Sequence, residues 1–270
     1  MDMNLDNITA SIRLLLGKAT PTKASVLLLR DYLKESGIGS VFIRADGKTD
    51  NALKAAKLLS NDFRVVIECD ARGYGALRKA APVSSNIEIL PFFDIADSPS
   101  EFLKIVRMLP KRLESLSASD KVPYVLIKND GKLTDKKRTK AAFDSIIKGI
   151  GSKNVKFYWD CGFVLCSFTA DELGYFIQKG SEIQFYCPSV MCVDLGLNIH
   201  ICERLKGLAS PSEGLTSPSS RMPLLAAMGK YGMALMPYQS FGMFRKCGGC
   251  RYFQKSCSGG CKAAVIEGFR

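Results

Sequence analysis

FRVVIECDARGYGALRKA, residues 63–80, sets a strand signal directly against a helix signal. Phe63–Cys69 is rich in β-branched residues, and Val65, Val66 and Ile67 form an unbroken apolar run, as in a strand covered on both faces. Arg72–Ala80 reads as a short helix. The same alternation extends outward in both directions. Toward the N-terminus, Val26, Leu29 and Leu33 recur at helical spacing over Thr22–Ser36, which ends at Gly37. Ser40–Arg44, SVFIR, reads as a strand, and Asp50–Leu59 as a helix capped by Thr49 or Asp50. Toward the C-terminus, strands are expected at Ile87–Phe93 (interrupted by Pro91), Val122–Lys128 and Val155–Trp159. A helix opens at Ser98-Pro99 and breaks or kinks at Pro110, and another covers Lys136–Lys148. Strands starting near 40, 63, 87, 122 and 155, separated by helices, predict an α/β chain with a parallel sheet. Ile8–Leu16 reads as a further helix, so no strand is expected ahead of the one at 40.

After Asp160 the rhythm changes. Thr169-x-x-Glu172 is a capping box for a helix that runs to Lys179 and stops at Gly180. Short strands are expected at Glu182–Tyr186 and Leu197–Ile201, each near cysteines. Residues 207–221 hold five Ser, two Pro and two Gly, the composition of a flexible connection. A small apolar helix is expected at Pro223–Met228, and the last 24 residues are basic and rich in cysteine. The expected organisation is an incomplete βα, partial TIM-like barrel over residues 1–160, then a small cysteine-rich domain over 161–270.

With 47% hydrophobic and 24% charged residues, the 270-residue chain belongs to the globular class, not the disordered or fibrous ones. No apolar run approaches the roughly 18 residues a membrane helix requires. Leu14-Leu15-Leu16 is too short for a secretory core, so a cytoplasmic location and no membrane partner are expected. The formal net charge of +12 favours acidic partners. No run of five like charges occurs, so a solvated surface is the plainer reading of the surplus. Ten cysteines in a cytosolic chain point away from disulfides. Nine of them lie between Cys161 and Cys261, and His200 is the single histidine. Metal chemistry here is therefore thiolate chemistry.

The strongest motif is Cys247-Gly248-Gly249-Cys250, then six residues, then Cys257-Ser258-Gly259-Gly260-Cys261. Two thiolates two residues apart grip one metal or cluster from a tight turn. Glycines let the backbone approach and donate N–H groups to the sulfurs. Lys246, Arg251, Lys255 and Lys262 interleave with the thiols and favour the ligating thiolate. Zinc is the rival occupant, although zinc ribbons separate their two Cys-x2-Cys knuckles by more than the six residues found here. Upstream, Cys187 and Cys202 have fourteen residues between them, Cys192 included. A [4Fe–4S] cluster needs four ligands and two need eight, so seven thiols suit one complete cluster plus an open one, or one cluster and spare thiols.

This arrangement resembles the SPASM-type C-terminal extension of radical S-adenosylmethionine enzymes. Cys187 and Cys202 match its first cysteine pair, with Leu197 where the family usually has glycine. Cys247, Cys250, Cys257 and Cys261 match its Cys-x2-Cys-x5-Cys-x3-Cys set with one extra residue before Cys257, and the final cysteine is absent. The resemblance implies that Cys187, Cys202 and Cys261 hold one auxiliary [4Fe–4S] cluster, with Cys192 as candidate fourth ligand. It implies that Cys247, Cys250 and Cys257 hold a second, short of its usual fourth ligand. The front half resembles the family's barrel in layout, with five strands standing as its second to sixth. The family's cofactor loop, Cys-x3-Cys-x2-Cys, occurs nowhere, and Arg44-Ala45-Asp46-Gly47 stands where the family has a Gly-Gly-Glu-like segment. Either the barrel has decayed, or the loop belongs to a missing N-terminal piece or another chain. S-adenosylmethionine is then not expected to bind this chain alone. The implied role is in peptide or protein modification, as a non-catalytic partner that docks the substrate, an acidic leader peptide for instance, or an active radical S-adenosylmethionine homologue. If the chain is an enzyme, its cofactor loop is supplied elsewhere.

A second reading is a zinc- or cluster-stabilised nucleic-acid-binding protein, favoured by the basic charge. Against it, Tyr252 and Phe253 are the only candidates for base stacking within the tail. Gly73-Tyr74-Gly75 follows a strand, the context of a phosphate loop, yet Arg78 stands at the third glycine position and an ordinary turn is the plainer reading.

Overall fold

The computed structural model describes residues 10–16, 20–45, 47–80, 86–109, 123–129, 136–151, 155–160, 162–181, 183, 185, 191–200, 202–205, 232–233 and 235–268. The chain divides into two compact units, Met1–Ile89 with Ser189–Met233, and Leu90–Pro188 with Ala234–Arg270. The architecture is α/β with mostly parallel strands. Among the described residues no helix is long and apolar enough to cross a membrane. The expected strand at 182–186, the connection at 207–221 and the helix at 223–228 fall wholly or partly outside the described residues.

In the first unit, β1 (Ala10–Leu15), β2 (Ile38–Arg44) and β3 (Arg64–Cys69) are joined by α1 (Lys23–Glu35) and α2 (Thr49–Leu59). β2 pairs in parallel with both β1 and β3. On its other side β1 pairs in parallel with β7 (Cys192–Asp194), which turns back antiparallel into β8 (Ile199–His200). Thr22 and Ser25 form a reciprocal capping box at the start of α1. Val65, Val66, Ile67, Glu68 and Cys69 are all buried, so β3 is covered on both faces as its apolar run predicts.

Two expectations are corrected here. Ala10–Leu15 is a strand, not part of a helix over Ile8–Leu16. Ile12 through Leu16 are buried in succession, because β1 lies between two neighbours and is covered on both faces. A short run buried all round carries neither helical nor strand periodicity, which is why its type is hidden in the sequence. Gly73 and Gly75 lie inside α3 (Ala71–Ala80), not in the ordinary turn expected of them. Asp70 Oδ1 accepts the Gly73 N–H at 2.7 Å, and a Cβ at Gly73 would stand 3.0 Å from both Cys69 Cβ and Thr49 Cγ2. The glycine serves close packing of α3 onto β3.

In the second unit, β4 (Ile87–Asp94), which begins in the first unit, pairs in parallel with β5 (Tyr124–Lys128), and β5 with β6 (Lys156–Trp159). α4 (Pro99–Met108) packs on α5 (Lys136–Ile150). Ser98 caps α4 with Pro99 in its first turn, and Leu109, ahead of Pro110, leaves the helix in an extended conformation. α6 (Ala170–Gln178) starts from the expected box, with Thr169 Oγ1 accepting from Glu172 N–H and the Glu172 carboxylate from Thr169 N–H. Phe143 of α5 stacks on Phe168 at 4.6 Å, and Trp159 of β6 meets Phe163 and Phe176 edge-on at 4.9 and 4.7 Å. These rings clamp the stretch between β6 and α6, where Phe163 and Val164 are 1% exposed.

Candidate functional site

The tail of the second unit is a chain of small turns. Arg245–Gly249 forms a single 3-10 turn carrying buried Cys247, and the Cys250 N–H closes it on the Cys247 carbonyl at 3.0 Å. Phe253 N–H returns to Cys250 O at 3.0 Å, and Cys257 N–H to Tyr252 O at 3.1 Å. The turn then closes with Gly259 N–H donating to Cys257 Sγ at 3.4 Å. Ser258 N–H donates to Phe185 O at 2.7 Å and ties the tail to the rest of its unit.

Glycine makes the close approaches possible. Gly259 has φ +77°, and a Cβ there would stand 2.7 Å from Gly242 Cα and from a Phe253 ring carbon. A Cβ at Gly242 would overlap the Cys247 side chain. Lys262, at the start of α7 (Lys262–Gly268), is buried, and its ammonium donates to the carbonyls of Ser258 (2.6 Å), Phe241 (2.8 Å) and Gln239 (3.4 Å). One side chain thus ties the 239–241 stretch to the turn at Ser258.

Between this tail and the Leu165–Ser167 turn lies a cavity of about 320 Å³, room for on the order of ten waters. Cys247, Cys250 and Cys257 line it, together with Cys166, Val164, Phe168 and Phe253. Three of the residues assigned to the second cluster therefore share one concavity. Cys261 does not line it; it is buried beside Gly162 and its N–H faces Met243 Sδ at 3.2 Å. Cys166 was not singled out from the sequence, since it has no cysteine partner at motif spacing.

Of the residues assigned to the first cluster, Cys187 lies outside the described residues, Cys202 belongs to the first unit and Cys261 to the second. Cys192 is packed in β7, where burial pushes its thiol up to about 12 against the opposing pull of Arg13. Cys69 is buried in β3, and its thiol is pushed far up by burial, with Asp70 and Glu68 adding to the effect. Cys69, Cys166, Cys247, Cys250 and Cys257 are free thiols. Among the described residues no three His, Cys, Asp or Glu side chains are gathered to hold a single metal ion.

His200 lies in β8, buried, with Nε2 3.4 Å from Asp194 Oδ2. Asp194 organises the β7–β8 turn by accepting from Gly196 N–H, Asn198 N–H and the Asn198 amide. Burial raises its carboxyl, and these bonds outweigh burial and hold it below the usual aspartate range. Leu197, at the family's glycine position, has φ +62°, so the turn requires a left-handed residue there whatever its identity.

A buried ion network occupies the first unit. Glu68 of β3 accepts from Arg13 of β1 through Oε1 at 2.9 Å and from Arg44 of β2 through Oε2, while Arg44 also pairs with Glu203. Burial raises the Glu68 carboxyl, and the two guanidiniums outweigh it and hold it below the ordinary glutamate range.

No family model matches the chain, and no curated protein matches its sequence.

Proposed function

We propose that this chain is a [4Fe–4S]-binding protein of radical S-adenosylmethionine/SPASM type, taking part in peptide or protein modification as a non-catalytic partner or substrate-docking scaffold. The single observation that carries the reading is the cavity lined by Cys247, Cys250 and Cys257. Its fit to a cluster rests on the donors and on room. Among the described residues the lining offers thiols and no imidazole or carboxylate, the donor set of iron–sulfur clusters. Four zinc-bound thiolates lie roughly 4 Å apart, given zinc–sulfur bonds of about 2.3 Å. A cubane instead presents one iron to each thiolate and spreads the thiolates over its corners. When bound, such a cluster supplies one-electron chemistry or a substrate-docking iron.

The non-catalytic part of the reading rests on the first unit. With β1 present, the connection from β1 to α1 is Leu16–Thr22, LGKATPT, and it contains no cysteine. The family's cofactor loop would leave its first strand at this place. The residue that ends β2, Arg44, is engaged by Glu68 and Glu203 inside the unit. The +12 charge suits an acidic peptide partner. Anaerobically purified protein is expected to contain iron with an equal amount of acid-labile sulfide. Stoichiometric zinc without sulfide would replace this reading with the zinc-stabilised nucleic-acid-binding one.

A further inference from the structure

We infer that Cys166 is the fourth ligand of the cluster held by Cys247, Cys250 and Cys257. The inference rests on the cluster reading above. It comes from the juxtaposition of Cys166 with those three cysteines around one cavity of about 320 Å³.

The turn that carries Cys166 is suited to ligation. It is a single 3-10 turn, Leu165–Ser167, closed by Ser167 N–H on Val164 O at 2.9 Å and by Phe168 N–H on Leu165 O at 3.2 Å. Phe163 and Val164 are fully packed before it, and Phe168 stacks on Phe143 after it. The backbone is therefore anchored on both sides while Cys166 itself is exposed to the cavity side and solvent. A ligand on a rigid element loses little freedom when it binds. The alternative donor from the motif, Cys261, is buried away from the cavity lining. Four cysteines complete a [4Fe–4S] cluster, leaving no iron open to an outside ligand. This cluster is thereby assigned a structural or electron-carrying role, and substrate does not bind directly to its iron.

The test compares full-length wild type, C166A, C166S and C250A, purified anaerobically, by iron and sulfide content and by electron paramagnetic resonance of the reduced protein. Each is measured with and without cyanide or 2-mercaptoethanol. C166A and C166S are expected to lose iron on brief air exposure several-fold faster than wild type. Cyanide is expected to shift their signals beyond any shift in wild type, and 2-mercaptoethanol to restore the wild-type spectrum by supplying a thiolate. Unchanged thermal melting of the metal-free variants separates ligation from folding. C166A and C166S indistinguishable from wild type in iron, air sensitivity and cyanide response, with C250A losing the cluster, would overturn the role of Cys166 and leave the cluster reading standing. Wild-type protein without iron would overturn both.

Discussion

Glu68 Oε2 accepts two hydrogen bonds from Arg44, from Nε at 3.1 Å and from Nη2 at 2.9 Å. Glu68 Oε1 accepts from Arg13, so one carboxylate joins β1, β2 and β3 at a place almost closed to solvent. A buried carboxylate between two guanidiniums is costly to desolvate, and losing it exposes the full penalty of the charges left behind. E68Q is expected to destabilise the first unit by about 3 kcal/mol, read as a drop in urea midpoint with an unchanged slope. A midpoint equal to that of wild type would mean that the network contributes nothing.

The same carboxylate sets a pH dependence. Its folded pKa lies below its unfolded one, so its contribution is fully present above the ordinary glutamate value of about 4.3. It is lost as pH falls through the lower folded value. Wild-type stability is expected to decline below about pH 4.3, and the decline in E68Q to be shallower. Parallel acid-unfolding curves for the two proteins would remove Glu68 as the source.

The β1–α1 connection and the engaged Arg44 bear on the absent cofactor. Titration of the full chain with S-adenosylmethionine in a calorimeter is expected to give no binding heat at micromolar concentrations. Micromolar binding would contradict the decayed-barrel reading.

Two glycines in the tail separate backbone need from composition. Gly259 is left-handed and faces the Gly242 backbone, whereas a Cβ at Gly248 meets nothing within 4 Å. G259A is expected to cost about 2 kcal/mol or more, from the left-handed conformation and the backbone collision. It is also expected to lower iron loading, with G248A close to wild type in both. Equal melting and iron content for the two variants would refute the close turn packing.

Much of the βα order was legible because its helices are amphipathic and α1, α4 and α6 open on side-chain caps; α2 opens at Lys48 without one, not on the expected Thr49 or Asp50 cap. The Thr169–Glu172 box fell where it was read, and Pro110 marked the end of α4 through the extended residue before it. β1 was missed because burial on both faces erases periodicity, leaving Ile12–Leu16 to read equally as helix. Within the candidate site, Cys247, Cys250 and Cys257 were legible from spacing alone. Cys166 was not, since its place in the cavity comes from the fold of a turn some 80 positions earlier in the chain. Leu197 illustrates a third case: the left-handed turn is there, but a non-glycine residue occupies it and conceals the signal.

The central claim is that the tail cysteines hold iron, and the visible spectrum of anaerobically purified wild type, C69A and C250A tests it most directly. Cys69 is a packed thiol in β3, and Cys250 is an exposed thiol on the cavity. Wild type and C69A are expected to be brown, with thiolate-to-iron absorption near roughly 410 nm, and C250A to lose most of that absorption. Colourless wild-type protein, or equal absorption in all three, would contradict the assignment.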